Sequence, residues 1–176
     1  MEVMGTTTAT SKTSAARGGP DPVDASGSAA ARMMFEHERL AKRLVRLGDF
    51  VNARDHVLAR GEWAELEELL VRHMDAEELF LFPAFGRENP DEAMALLDEH
   101  KGLRELMDEI GLAFELHTLR AARVQELRAR LEGHAEREGR TVYAWADRDG
   151  NRAQARLAML RLPGGLMPSS ADGATR

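Results

Sequence analysis

The 176-residue chain has no cysteine, which removes disulfides, thiolate metal sites and cysteine nucleophiles in one step. Lysine is scarce, with 3 residues against 21 arginines, a bias that reflects genome composition rather than function. No basic stripe is present. Positive and negative residues are interleaved around a net charge of -6, so no nucleic-acid partner is expected. No stretch approaches the roughly 20 apolar residues of a membrane span, and the N-terminus lacks the apolar core of a signal peptide. A cytoplasmic location with no membrane partner is the resulting expectation. What remains, 43% hydrophobic and 31% charged, describes an ordinary globular domain long enough to bury one core.

One pattern is written twice. Glu36-His37 is followed by His73-Met-Asp-Ala-Glu77, and Glu99-His100 is followed by His134-Ala-Glu-Arg-Glu138. The lone His precedes the His-x-x-x-Glu pair by 36 residues in the first half and 34 in the second. On a helix, residues four apart share a face, so each pair aims an imidazole and a carboxylate at one point.

The surrounding chain reads as all-α. Residues 1–26 are small, polar and punctuated by Gly and Pro, and form an expected flexible tail. Helix one starts near Ser26 to Ser28 and carries Met33, Met34, His37, Leu40, Ala41, Leu44, Leu47 and Val51 at helical spacing. Arg60-Gly61 signals a turn, and helix two follows over 62–86 with Leu66, Leu69, Leu70, His73, Glu77, Phe80 and Ala84 inward. Helix three, 90–116, has Asn89 as cap and Pro90 at its first position, with Leu96, Leu97, His100, Leu103, Met107 and Phe114 inward. Helix four, 119–145, carries Val124, Leu127, Leu131, His134, Glu138, Thr141 and Trp145. The expected architecture is an antiparallel up-down-up-down four-helix bundle over 27–147. A short fifth helix within 148–162 and a flexible tail over 163–176 complete the chain.

The axial rise of about 1.5 Å per residue tests whether the ligands come level. Helices three and four agree if the chain turns near residue 117. Helices one and two require a turn near residue 55, six residues before the Gly61 signal, so helix one either bends at Gly48-Asp49 or overshoots its partner.

Counting donors gives the chemistry. Glu77 and Glu138 can each give one oxygen to either of two metals, while His37, His73, His100 and His134 supply two imidazoles per metal. With a bridging hydroxide or oxo group, each ion keeps one position open. Imidazole and carboxylate without thiolate suit iron, manganese or zinc, and a carboxylate-bridged pair in a helical bundle favours iron. Ferritin-type di-iron bundles use Glu-x-x-His. The residue three before every His here is Met, Ala, Leu or Phe, never Glu, which disfavours that class.

These residues resemble the hemerythrin-like, or HHE cation-binding, domains. The resemblance spans about 28–147 and rests on Glu36-His37, His73-x-x-x-Glu77 with Glu78-Leu79-Phe80-Leu81-Phe82-Pro83 behind it, Glu99-His100-x-x-Leu103-Arg104, and His134-x-x-x-Glu138. It implies a four-helix bundle holding a non-haem di-iron centre on His37, His73, Glu77, His100, His134 and Glu138. The oxygen carriers of that family have a further His where this chain has Arg104, and relatives without it are linked to sensing, handling or storing iron, or to reacting with oxygen, peroxide or nitric oxide. The expected partner is accordingly a small ligand such as O2, NO or peroxide. The alternative is a di-iron oxidoreductase that detoxifies oxidants, and a zinc-loaded structural bundle is a third possibility. Arg104 reads as a surface cation or as a lid for an anionic ligand, His56 and His117 as exposed turn residues, and Tyr143 and Trp145 as packing groups.

Overall fold

The computed structural model describes residues 29–148 and 151. The expected Ser26–Ser28 start, both tails and the fifth helix over 152–161 lie outside the described residues. Four long helices dominate: α1 (Ala29–Asn52), α2 (His56–Ala76), α4 (Pro90–Glu115) and α5 (Ala121–Arg140). A π-helical segment, Glu77–Leu81, and a short α3 (Phe82–Phe85) continue α2, and a short α6 (Val142–Ala146) follows α5. The long helices form a bundle in which α1 lies against α2 and α5, while α4 lies against α5 and α2. Among the described residues no helix is long and apolar enough to cross a membrane.

The 3-4 spacing explains why these segments pack as they do. Met33, His37, Leu40, Leu44 and Leu47 are buried along α1, and Ala59, Trp63, Leu66, Leu70 and His73 along α2. Leu96, His100, Leu103, Met107, Ile110 and Phe114 form the stripe of α4, and Val124, Leu127, Leu131, His134 and Glu138 that of α5. Burial of each such Leu contributes about 1.5–3 kcal/mol. Met34 and Leu97, expected inward, are exposed. Each follows a fully buried residue, Met33 or Leu96, and successive helical side chains diverge by about 100°.

The α1–α2 connection corrects the expected turn. Gly61 lies inside α2, and the chain reverses at Arg54, whose φ is 58°. The amide of Asp55 donates to Phe50 O at 3.0 Å and that of Arg54 to Val51 O at 3.1 Å, the two bonds of a Schellman close. The Asp55 side chain then caps α2 by accepting from Leu58 N at 3.0 Å. The turn thus falls at the place the axial count requires, and α1 runs unbroken through Gly48-Asp49 to Asn52 without overshooting. The end of α4 repeats the device, with Thr118 N donating to Ala113 O, His117 N donating to Phe114 O, and His117 at φ 56°. Asn89 precedes α4 as expected, but its side chain makes no capping bond to that helix and donates instead to Phe85 O at 3.4 Å.

Left-handed residues at helix ends are usually glycine because a Cβ there costs about 1–2 kcal/mol. Arg54→Gly should therefore raise stability by roughly 0.5–1 kcal/mol, once the greater freedom of glycine in the unfolded chain is set against that strain. Urea denaturation of the two proteins measures the difference, and a less stable variant would contradict the strain. At this end of the bundle exposed His56 and His117 approach to 6.4 Å between ring centroids, beside a cavity of about 510 Å³.

Helix four is shorter than expected. α5 stops at Arg140, Thr141 takes φ −114° and ψ −87°, and α6 then carries Val142, Tyr143, Trp145 and Ala146 into the core. In an unbroken helix Tyr143 would stand about 140° around the axis from Glu138. The break turns it back toward the site. In the first half the π-helical segment does the equivalent work: Phe82 N donates to Glu77 O, which brings two residues five apart onto one side.

Candidate metal centre

The buried residues separate into two apolar clusters with a polar layer between them. One cluster includes Met33, Leu81, Phe82, Phe85, Leu96 and Trp145, and the other Leu40, Leu44, Leu70, Leu103 and Leu131. Between them lie His37, His73, Glu77, His100, His134 and Glu138, the six buried polar or charged side chains among the described residues. All six residues singled out in the sequence are thus brought together.

Their donor atoms fall into two overlapping groups, each with all its atoms within 4.8 Å of one another. His37, His73, Glu77 and Glu138 make one, and His100, His134, Glu77 and Glu138 the other. Both carboxylates belong to both groups, though not in the same way. Glu138 splits its oxygens, with Oε1 at 3.1 Å from His134 Nε2 and Oε2 at 3.3 Å from His37 Nε2. Glu77 presents Oε2 to both halves, 3.5 Å from His73 Nε2 and 3.4 Å from His100 Nε2.

The other oxygen of Glu77 is occupied by a residue that sequence reasoning treated as packing. The Tyr143 hydroxyl donates to Glu77 Oε1 and lies 2.8 Å from Glu138 Oε2, placing one phenolic proton against both carboxylates. Burial and the two neighbouring negative charges push the Tyr143 pKa well above its ordinary value, so the phenol keeps its proton. The available signal was the repeat itself. Tyr143 follows Glu138 by five residues as Phe82 follows Glu77, and Phe82 stacks on His100 at 5.2 Å while Tyr143 lies 5.8 Å from His37.

A second set of residues orients the imidazoles. His73 Nδ1 donates to Glu36 at 3.2 Å, His134 Nδ1 to Glu99 at 2.8 Å, and His100 Nδ1 to Glu78 at 2.8 Å. Glu36 and Glu99 each precede a site His in sequence yet serve the imidazole of a neighbouring helix, because adjacent residues point about 100° apart. The repeated Glu-His dipeptide was their signal. Arginines hold these carboxylates in turn: Arg104 donates to Glu78 at 2.6 Å and to Asp75 at 2.9 Å, and Arg137 to Glu99 at 2.7 Å. Arg104 is therefore tied to two carboxylates and does not close over the cluster.

The arrangement suits a cation. A carboxylate acceptor at Nδ1 assigns the ring proton there and leaves Nε2 with a lone pair. His100 and His134 are both so committed, yet their Nε2 atoms stand 3.0 Å apart, and those of His37 and His73 stand 2.8 Å apart. Two facing lone pairs repel unless a proton or a metal ion lies between them. Metal–nitrogen bonds of about 2.1 Å at a right angle separate two donors by roughly 3 Å, which matches these spacings. Glu77 Oε2 and Glu138 Oε1 are in addition buried without a hydrogen-bond partner, a costly state for an oxygen that binds no cation.

In the metal-free chain the local electrostatics favour protons in this role. Burial alone would lower the His100 pKa, but the negative charge of Glu138 and Glu77, at 3.8 and 3.4 Å from Nε2, wins and pushes it up to about 10. Glu138 moves the other way: burial opposes its charge, yet the imidazoles of His100, His134 and His37 beside it hold its pKa well below the usual 4.5. The signs fix a pH profile. His100 stabilises the fold fully below its unfolded value near 6.5, and that contribution is lost as pH rises toward about 10. The Glu138 contribution is present above 4.5 and is lost as pH falls below it. Chelator-treated protein should therefore melt at a lower temperature near pH 9 than near pH 6. Equal melting temperatures would contradict the proton-bridged cluster.

The comparisons agree with this chemistry. The family model described as the hemerythrin HHE cation-binding domain matches residues 28–146. No curated protein and no solved structure gives a match.

Proposed function

Because the chain belongs to the hemerythrin HHE cation-binding family, we propose that its cluster is a non-haem di-iron centre that binds O2 or a related small ligand such as NO or peroxide, or that senses or stores iron. In this reading the four long helices run up-down-up-down and deliver His37 and His73 to one ion, His100 and His134 to the other, and Glu77 and Glu138 to both. The single observation that carries it is the pair of donor groups sharing Glu77 and Glu138 within one buried layer. Iron, with manganese as the other metal such sites take, is favoured over zinc because carboxylate-bridged pairs in helical bundles hold these two metals.

When bound, the ions supply electrons and a vacant coordination position. The chain supplies the rest. The apolar clusters on either side exclude water and keep the surrounding electrostatics strong. Glu36, Glu78 and Glu99 hold three imidazoles in the tautomer that presents Nε2 inward. Tyr143 holds a proton beside both shared carboxylates. That proton favours a second reading, an oxidoreductase that reduces peroxide or another oxidant, since reduction of oxygen species consumes protons as well as electrons.

Mixing reduced, iron-loaded protein with O2 or peroxide separates the two. A visible absorption band that appears and reverses with ligand removal supports binding, and catalytic consumption of the oxidant supports the enzyme. Protein that takes up no iron when the metal is supplied overturns both.

A further inference from the structure

The two halves of the cluster share their carboxylates but differ in how their imidazoles are held. His100 and His134 each donate Nδ1 to a carboxylate at 2.8 Å. His73 does so at 3.2 Å, and among the described residues His37 Nδ1 has no such acceptor. The arginines behind the carboxylates follow the same grading. Arg104 reaches Glu78 at 2.6 Å and Arg137 reaches Glu99 at 2.7 Å, whereas Arg32 stands 3.7 Å from Glu36. Exposure singles out His37, whose side chain is 9% accessible against 1% for His73, 0% for His100 and 2% for His134.

We infer that the two halves hold metal unequally, that the His100/His134 half fills first, and that Glu78, gripped by Arg104, is the positioning residue that sets this order. The inference rests on the two-ion reading above. Its physical basis is the cost of fixing a ligand. An imidazole already locked in tautomer and ring orientation loses little freedom on binding, and its Nε2 is a stronger donor because the carboxylate draws on Nδ1–H. His37 must be both oriented and, where its proton sits on Nε2, switched to the Nδ1–H tautomer when the ion arrives. Loss of one such outer carboxylate typically costs 10–100-fold in metal affinity, so the half with two firm anchors should exceed the half with one long anchor by at least that factor.

The sequence origin of the difference is one position. Glu78 follows Glu77 and reaches His100, while the residue that follows Glu138 is Gly139, which has no side chain to offer His37. The helical repeat is thus broken at the residue that would have made the halves alike. The same comparison gives Arg104 a role: it holds the Glu78 carboxylate in place.

Anaerobic titration of the metal-free full chain with ferrous ion against a competing chelator, followed by circular dichroism to confirm the fold, tests the inference. Wild type should bind two ions in two steps. Glu78→Ala should weaken the first step by about 10–100-fold, and Glu36→Ala should weaken the second step while leaving the first unchanged. Arg104→Gln should lower the first step in the same direction as Glu78→Ala, which keeps the question answerable if the latter folds poorly. Two ions bound with Glu78→Ala acting on the second step, or with neither variant altering either step, overturns the inference and leaves the two-ion reading intact. One ion or none in wild type overturns that reading and the inference with it.

Discussion

Glu77→Ala is expected to abolish iron binding and to remove the thermal stabilisation that iron confers. Glu77 Oε2 faces one imidazole from each half, so truncation takes a donor from both proposed ions at once. A ligand that binds only the folded chain stabilises it by about 4 kcal/mol when free metal exceeds its Kd a thousand-fold, or roughly 10–15 °C in melting temperature for a domain of this size. That whole shift should vanish in the variant. Glu77→Ala should also destabilise the metal-free chain, because His73 and His100 lose a buried counter-charge, and breaking such a pair costs about 3–5 kcal/mol. Melting each protein with iron and with chelator separates the two effects. Iron content equal to wild type in the variant would contradict the shared role of Glu77.

Tyr143→Phe is expected to cost about 2 kcal/mol in the metal-free protein while leaving the core packing intact. The ring that packs near His37 is retained, and what disappears is the single hydroxyl that serves Glu77 and Glu138. Both carboxylates are fully buried, and a buried charged acceptor deprived of its donor costs more than a neutral one. Denaturant unfolding of chelator-treated protein gives the difference. Combining the change with Glu138→Gln should give a smaller loss than the sum of the two, because the hydroxyl and the carboxylate act as one unit. Strict additivity would mean that the bond carries no energy.

The parts of the molecule that could be read in advance are those governed by period. Leu40, Leu44 and Leu47 on α1, or Leu127 and Leu131 on α5, face inward because residues three and four apart share a face. The same rule brought His73 to Glu77 and His134 to Glu138. Where the period is interrupted, reading from residue types failed. The turn at Arg54 uses a non-glycine residue at positive φ while Gly61 continues a helix, so the local signal pointed to the wrong place and the axial count to the right one. Tyr143 reaches the carboxylates only because Thr141 breaks the helix. Glu36 and Glu99 were visible as neighbours of histidines, but the imidazoles they hold lie 37 and 35 residues away, a relation that only packing creates.

In the proposed centre two metal ions occupy this buried layer, one against His37 and His73 and the other against His100 and His134. Anomalous diffraction from crystals of the iron-loaded protein, collected on both sides of the iron absorption edge, measures it directly. Two iron peaks within the ring of the six side chains are the predicted result. A single peak, or iron only on the surface with the imidazoles still paired to one another, would contradict it.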